Sequence, residues 1–129
     1  MKLSQLKDLF SNNIVIGVLR KSIEKEVIDY VTLLKKKGSS VPIYITEDAT
    51  LKVSGSDIAL LCKAYLDGGI EENHVYYIMD VLTLAEHVDF DNEELFDLVA
   101  GLTDPEINGD LTPEIAMQVI NQIHLLNDE

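Results

Sequence analysis

The densest run of chemically capable side chains is 104-DPEINGDLTPE-114, with four carboxylates, an asparagine and a glycine in eleven residues. Oxygen ligands at positions 1, 3 and 5, a glycine at 6 and a bidentate glutamate at 12 would make it a calcium-binding EF-hand loop. With Asp104 at position 1, Glu106, Asn108 and Gly109 fit, but position 12 is Ile115 and Glu114 comes one residue early. The ligand that closes the calcium shell is missing. Turn chemistry accounts for every residue instead: Asp104-Pro105 ends what precedes, Asn108-Gly109 turns, Thr112 caps a helix and Pro113 takes its first position. The segment reads as a link between helices, with no metal site.

Other reactive side chains are scattered. His74, His87 and His124 fall on separate segments without ligand spacing and read as surface or partly buried imidazoles. Cys62 is the single cysteine, so it has no internal disulfide partner and reads as a small buried apolar residue. Gly68-Gly69 lacks the residues that turn a glycine pair into a phosphate loop. Carboxylates are so frequent that sequence proximity singles out no acid–base pair. No catalytic residue, metal or cofactor is assigned, and the chain reads as a binding protein and not an enzyme.

The elements that would position these groups are mainly helical. Leu3, Leu6 and Phe10 predict a short helix closed by Asn12-Asn13, and 14-IVIGVL-19 is too short to assign to strand or helix. Ser22 is a candidate cap for a helix carrying Ile23, Val27, Tyr30, Val31 and Leu34, ending at 35-KKKG-38. The period then changes to two in 41-VPIYIT-46 and 51-LKV-53, which predicts a small antiparallel β-hairpin over 41–53. A helix with Ile58, Leu61, Cys62, Tyr65 and Leu66 follows, capped by Ser56 and stopped by Asp67-Gly68-Gly69. Glu71 and Glu72 open the next, with Val75, Ile78, Met79, Leu82 and Ala85 on one side. Asp91 or Asn92 caps a shorter helix with Leu95, Leu98, Val99 and Leu102, and the last runs from Pro113 through Ile115, Val119, Ile120, Ile123 and Leu126. The expectation is one mainly α domain over 1–129, a bundle of five or more helices with a small hairpin.

Charge narrows the partner. The net charge is −13, and it is polarised: residues 1–63 hold ten bases and seven acids, whereas residues 64–129 hold sixteen acids and no Lys or Arg. Such a field repels nucleic acid and anionic membrane surfaces and speeds encounter with a cationic partner. With no apolar run of membrane-spanning length and no signal-like start, the expected location is the cytoplasm.

The stretches 58-IALLCKAYLDGGIEENHVYYIMDVL-82 and 89-DFDNEELFDLVAGLTDPEINGDLTPE-114 resemble bacterial toxin immunity proteins, of the helical colicin-like self-protective kind or the contact-dependent inhibition kind. The resemblance implies an acidic protein that neutralises a cognate toxin, a nuclease in many such pairs, by occluding its basic cleft. The expected contacts are the acids Glu71, Glu72, Asp89, Asp91, Glu93, Glu94 and Asp97, with Phe90 or Tyr76 as an aromatic anchor. The alternative is a small cytoplasmic adaptor or regulatory module that recognises a helix or strand of another partner.

Overall fold

The structure is a computed structural model that describes residues 1–34 and 43–127. The described chain runs α1 (Leu3–Phe10), α2 (Ile16–Leu34), β1 (Leu51–Val53), α3 (Gly55–Leu66), α4 (Glu72–Leu84), β2 (Val88–Phe90), α5 (Glu93–Ala100), α6 (Pro105–Asn108) and α7 (Pro113–Asn127). The mainly helical architecture with a small β element agrees with the expectation. The lysine run and Gly38, with Val41 and Pro42 of the expected hairpin, lie outside the described residues.

Local chemistry sets most boundaries. Asn12 at φ 61° turns the chain out of α1. The ambiguous run 14–19 enters α2, which starts at Ile16, so Ser22 is inside the helix and its hydroxyl donates back to the Leu19 carbonyl at 2.7 Å. The cap of α3 is Ser54 and not Ser56: Asp57 closes a capping box by accepting the Ser54 N–H at 2.9 Å. Gly68, at φ 81°, supplies the left-handed residue that stops α3. As expected, Asn92 caps α5 by accepting the Leu95 N–H at 2.8 Å, and Thr112 accepts the Ile115 N–H ahead of α7.

The expected hairpin is corrected. β1 is a strand, but its partner is β2, parallel, with Leu51 opposite Val88, Lys52 opposite Asp89 and Val53 opposite Phe90. Parallel pairing needs a crossover, which here is the α3–α4 pair. Residues 43–46 run beside the N-terminus instead, where the Leu3 N–H donates to the Thr46 carbonyl at 3.0 Å and the Thr46 N–H to the Met1 carbonyl at 2.8 Å. The link that would have been the hairpin turn is held elsewhere by its side chains. Asp48 accepts from the Ser4 N–H and hydroxyl, and Glu47 accepts the His87 N–H at 2.7 Å.

α4 is the centre. Eight of its thirteen residues are buried, so it is enclosed on more than one side. α2, α3 and α5 pack around it, and α7 covers α3. Two tyrosines join α2 to α4: Tyr30 donates to Asp80 at 2.7 Å and Tyr77 to Glu26 at 2.9 Å, their rings meeting edge to face at 5.3 Å.

Candidate acidic binding surface

The acids divide into groups with different surroundings. At the first group, α2 meets the turn between α3 and α4. Arg20 donates to the Gly69 carbonyl at 3.1 Å and approaches Glu71 at 3.4 Å and Glu24 at 3.6 Å. His74, only 2% exposed, accepts the Glu71 N–H on Nδ1 at 3.1 Å. That contact puts the ring hydrogen on Nε2, which donates to Glu24 at 3.2 Å. Glu71 is therefore tied into a structural latch, its charge partly offset by Arg20.

A second group surrounds the entry to α7. Leu111 is buried, and both of its main-chain groups are held by phenols: its N–H donates to Tyr76 at 2.7 Å, and Tyr65 donates to its carbonyl at 3.4 Å. Tyr76 is 3% exposed. Tyr76, one of the two expected anchors, thus presents almost no surface in this conformation, whereas Phe90 is half-buried. Burial raises the pKa of both phenols, and the nearby charges of Glu72, with Asp110 at Tyr76 and Glu114 at Tyr65, raise them further. Glu72 accordingly belongs with Asp110 and Glu114. Glu71 and Glu72 stand at the start of α4 in the chain, whereas the acids at 89–97 follow it, on β2, its exit and α5.

The 104–114 segment is built by its own side chains. Asp104, at φ 28°, accepts the Glu106 N–H at 3.1 Å, and Asn108 donates to the Thr103 carbonyl at 2.9 Å and the Ala100 carbonyl at 3.2 Å. Gly109, at φ 85°, then releases the chain towards α7. Asp104 also acts on the interior. Burial raises the Asp80 pKa and the Asp104 charge adds to the rise, against the opposing Tyr30 hydrogen bond.

A third group of acids lies on β2, its exit and α5. Asp89, Asp91, Glu93, Glu94 and Asp97 all face solvent from β2, its exit and α5. Glu93 and Glu94 occupy the first turn of α5, where the positive end of the helix dipole favours carboxylates. Asp89 stands in register with Lys52. Among them lies an aromatic pair, Phe90 edge to face with Phe96 at 5.3 Å, and Phe96 is 39% exposed. Phe96 was not among the expected contacts. The signal was available, because Leu95, Leu98, Val99 and Leu102 define the inward stripe and Phe96 is the large apolar side chain off it.

Chemically, this surface presents anionic oxygens beside a partly exposed aromatic edge, a combination suited to binding cationic side chains. Of the other reactive groups, His124 is exposed on α7, and two are held by the fold. Cys62 is buried and its thiol is pushed up to about 11, and His87 pairs with Glu47 at 3.1 Å. No described helix is long and apolar enough to cross a membrane. Compared with known proteins, the chain matches no family model, and neither a curated protein nor a solved structure is significantly similar to it.

Proposed function

We propose that this protein is an acidic inhibitor that neutralises a cognate bacterial toxin, a nuclease, by binding across its basic active cleft. The observation that carries the reading is the solvent-facing set Asp91, Glu93, Glu94 and Asp97 around the Phe90–Phe96 pair, in a half of the chain without a single Lys or Arg. A nuclease collects a polyanion with clustered cations, so an array of carboxylates competes for the same field. The acids steer the encounter, and the aromatic pair supplies apolar area at the centre of the contact, where interface energy concentrates. Neither step requires chemistry from this chain, because occlusion alone keeps the substrate out. The same field repels nucleic acid, so the reading has the protein act in the cytoplasm on the toxin and not on its substrate.

The test is affinity capture from the native host on the immobilised protein, followed by mass spectrometry and stopped-flow association with the captured partner. Wild type should retain a nuclease with a basic cleft and inhibit it. The triple variant Glu93→Gln, Glu94→Gln, Asp97→Asn should associate about tenfold more slowly at 0.1 M salt, where the Debye length is about 10 Å, and the difference should shrink towards 1 M. Neutral replacements are chosen because lysines in the first turn of α5 would also oppose the helix dipole. An on-rate indifferent both to salt and to the triple variant, or a partner without nuclease activity, sinks the proposal and favours an adaptor role.

A further inference from the structure

We propose that the groove between α5 and α7 is a docking site for a basic amphipathic helix. The inference rests on the reading of the chain as an acidic inhibitor and adds the kind of segment it grips. The groove is shallow and open to solvent, with a volume of about 460 Å3, and is lined by Glu94, Asp97 and Leu98 from α5 and by Gln122, Leu125 and Leu126 from α7. Its apolar and charged parts come from different residues. Three leucines supply an apolar lining, and Glu94 and Asp97, both solvent-facing, supply carboxylates on the α5 side.

Leu125 is 68% exposed, although α7 already buries Ala116, Val119, Ile120 and Ile123 against the rest of the molecule. It is an apolar side chain left over after the core is complete. A partner helix with apolar anchors at i, i+3, i+4 and i+7 would cover Leu125 and Leu126, while lysines or arginines flanking that stripe would meet Glu94 and Asp97. Charge chooses among occupants. Nucleic acid and anionic lipid are repelled by the two carboxylates, and the same groove of a second copy carries the same two acids. A cationic helix gains from both halves of the groove.

The probe is a fluorescein-labelled 18-residue peptide with Leu at i, i+3, i+4 and i+7 and Lys elsewhere, alongside a counterpart with Glu in place of Lys. Binding is read by anisotropy at low and high salt, and its location by amide chemical-shift mapping on the full chain. The Lys peptide should bind with shifts centred on Leu98, Gln122 and Leu125, and the Glu peptide should not bind. Leu125→Glu should weaken binding by about tenfold or more. That variant removes apolar surface while adding an attractive charge, so a loss isolates the apolar lining, and exposure of Leu125 keeps the fold safe. Glu94→Gln with Asp97→Asn should weaken binding about 3- to 10-fold, at low salt only. Unchanged binding by Leu125→Glu, shifts centred on Phe90 and Asp91, or a doubled mass from a second copy in the groove would each overturn the inference. The two readings fail separately. Capture of a basic nuclease by a protein that ignores the peptide removes the groove alone, whereas peptide in the groove with no nuclease captured removes the proposed function alone.

Discussion

Replacing His74 by alanine should destabilise the protein by about 2–4 kcal/mol, a figure assembled from three losses. The Nδ1 acceptor of the Glu71 N–H, at 3.1 Å, closes the cap of α4, and losing such a cap costs about 0.5–1 kcal/mol. The Nε2 hydrogen bond to Glu24, at 3.2 Å, has a charged acceptor; because Glu24 is 45% exposed, solvent reduces its worth to about 0.5–1 kcal/mol. Removing the ring from a site 2% exposed leaves a void, worth about 1–2 kcal/mol for a side chain of this size and polarity. In urea unfolding the midpoint should fall with unchanged slope, and in a thermal scan it should drop by roughly 10 °C. His74→Gln should recover part of the loss, since glutamine at the same helix position can accept the Glu71 N–H. A double-mutant cycle with Glu24→Ala should give a coupling of about 0.5 kcal/mol or more. A His74→Ala protein within about 0.5 kcal/mol of wild type, the ordinary scatter of a surface substitution, would refute the latch.

Two further expectations follow from buried polar contacts. Tyr76→Phe removes the acceptor of the buried Leu111 N–H, so it should cost about 1–3 kcal/mol in denaturant unfolding and speed amide exchange at Leu111; unaltered exchange there would count against the staple. Asp80→Asn tests the raised carboxyl, whose causes are burial first and the Asp104 charge second. The folded state holds this proton more tightly than the unfolded chain, so wild type loses stability as pH rises from the ordinary value of 3.8 through the raised one. Asp80→Asn keeps an oxygen for Tyr30 and lacks that loss, so its stability relative to wild type should climb across this window and level off above it. A difference flat in pH would show that Asp80 feels no such burial.

How much was legible in the chain depended on whether a feature was local. The first helix closed at Asn12 and the Asn92 and Thr112 caps rest on hydrogen bonds between residues three apart, and sequence reading reached them; within 104–114 it reached the link but not the short helix α6, which Asp104 caps and Pro105 opens. The strand Leu51–Val53 was legible from its alternation, but not its partner, because a period of two says which side faces inward and nothing about what lies alongside. Ser56 and Ser22 were misplaced as caps because each was a permitted residue a few positions inside a start that Asp57 and the apolar run 16–19 decided.

The surface shows the same division. Composition alone determined that the second half is anionic, since residues 64–129 hold sixteen acids and no Lys or Arg. Folding then sorted the exposed ones among those acids: Glu71 approached Arg20, Glu72 joined Asp110 and Glu114, and Asp91, Glu93, Glu94 and Asp97 were set on the β2 exit and α5 with Phe96. It also withdrew Tyr76 to hold Leu111, 35 residues away, and buried His74 between α2 and α4. Charge sums and helical period are properties of the chain, and so they could be read from it. Whether a particular carboxylate, phenol or imidazole reaches solvent depends on which distant backbone groups need a partner, and only the packed structure decides that.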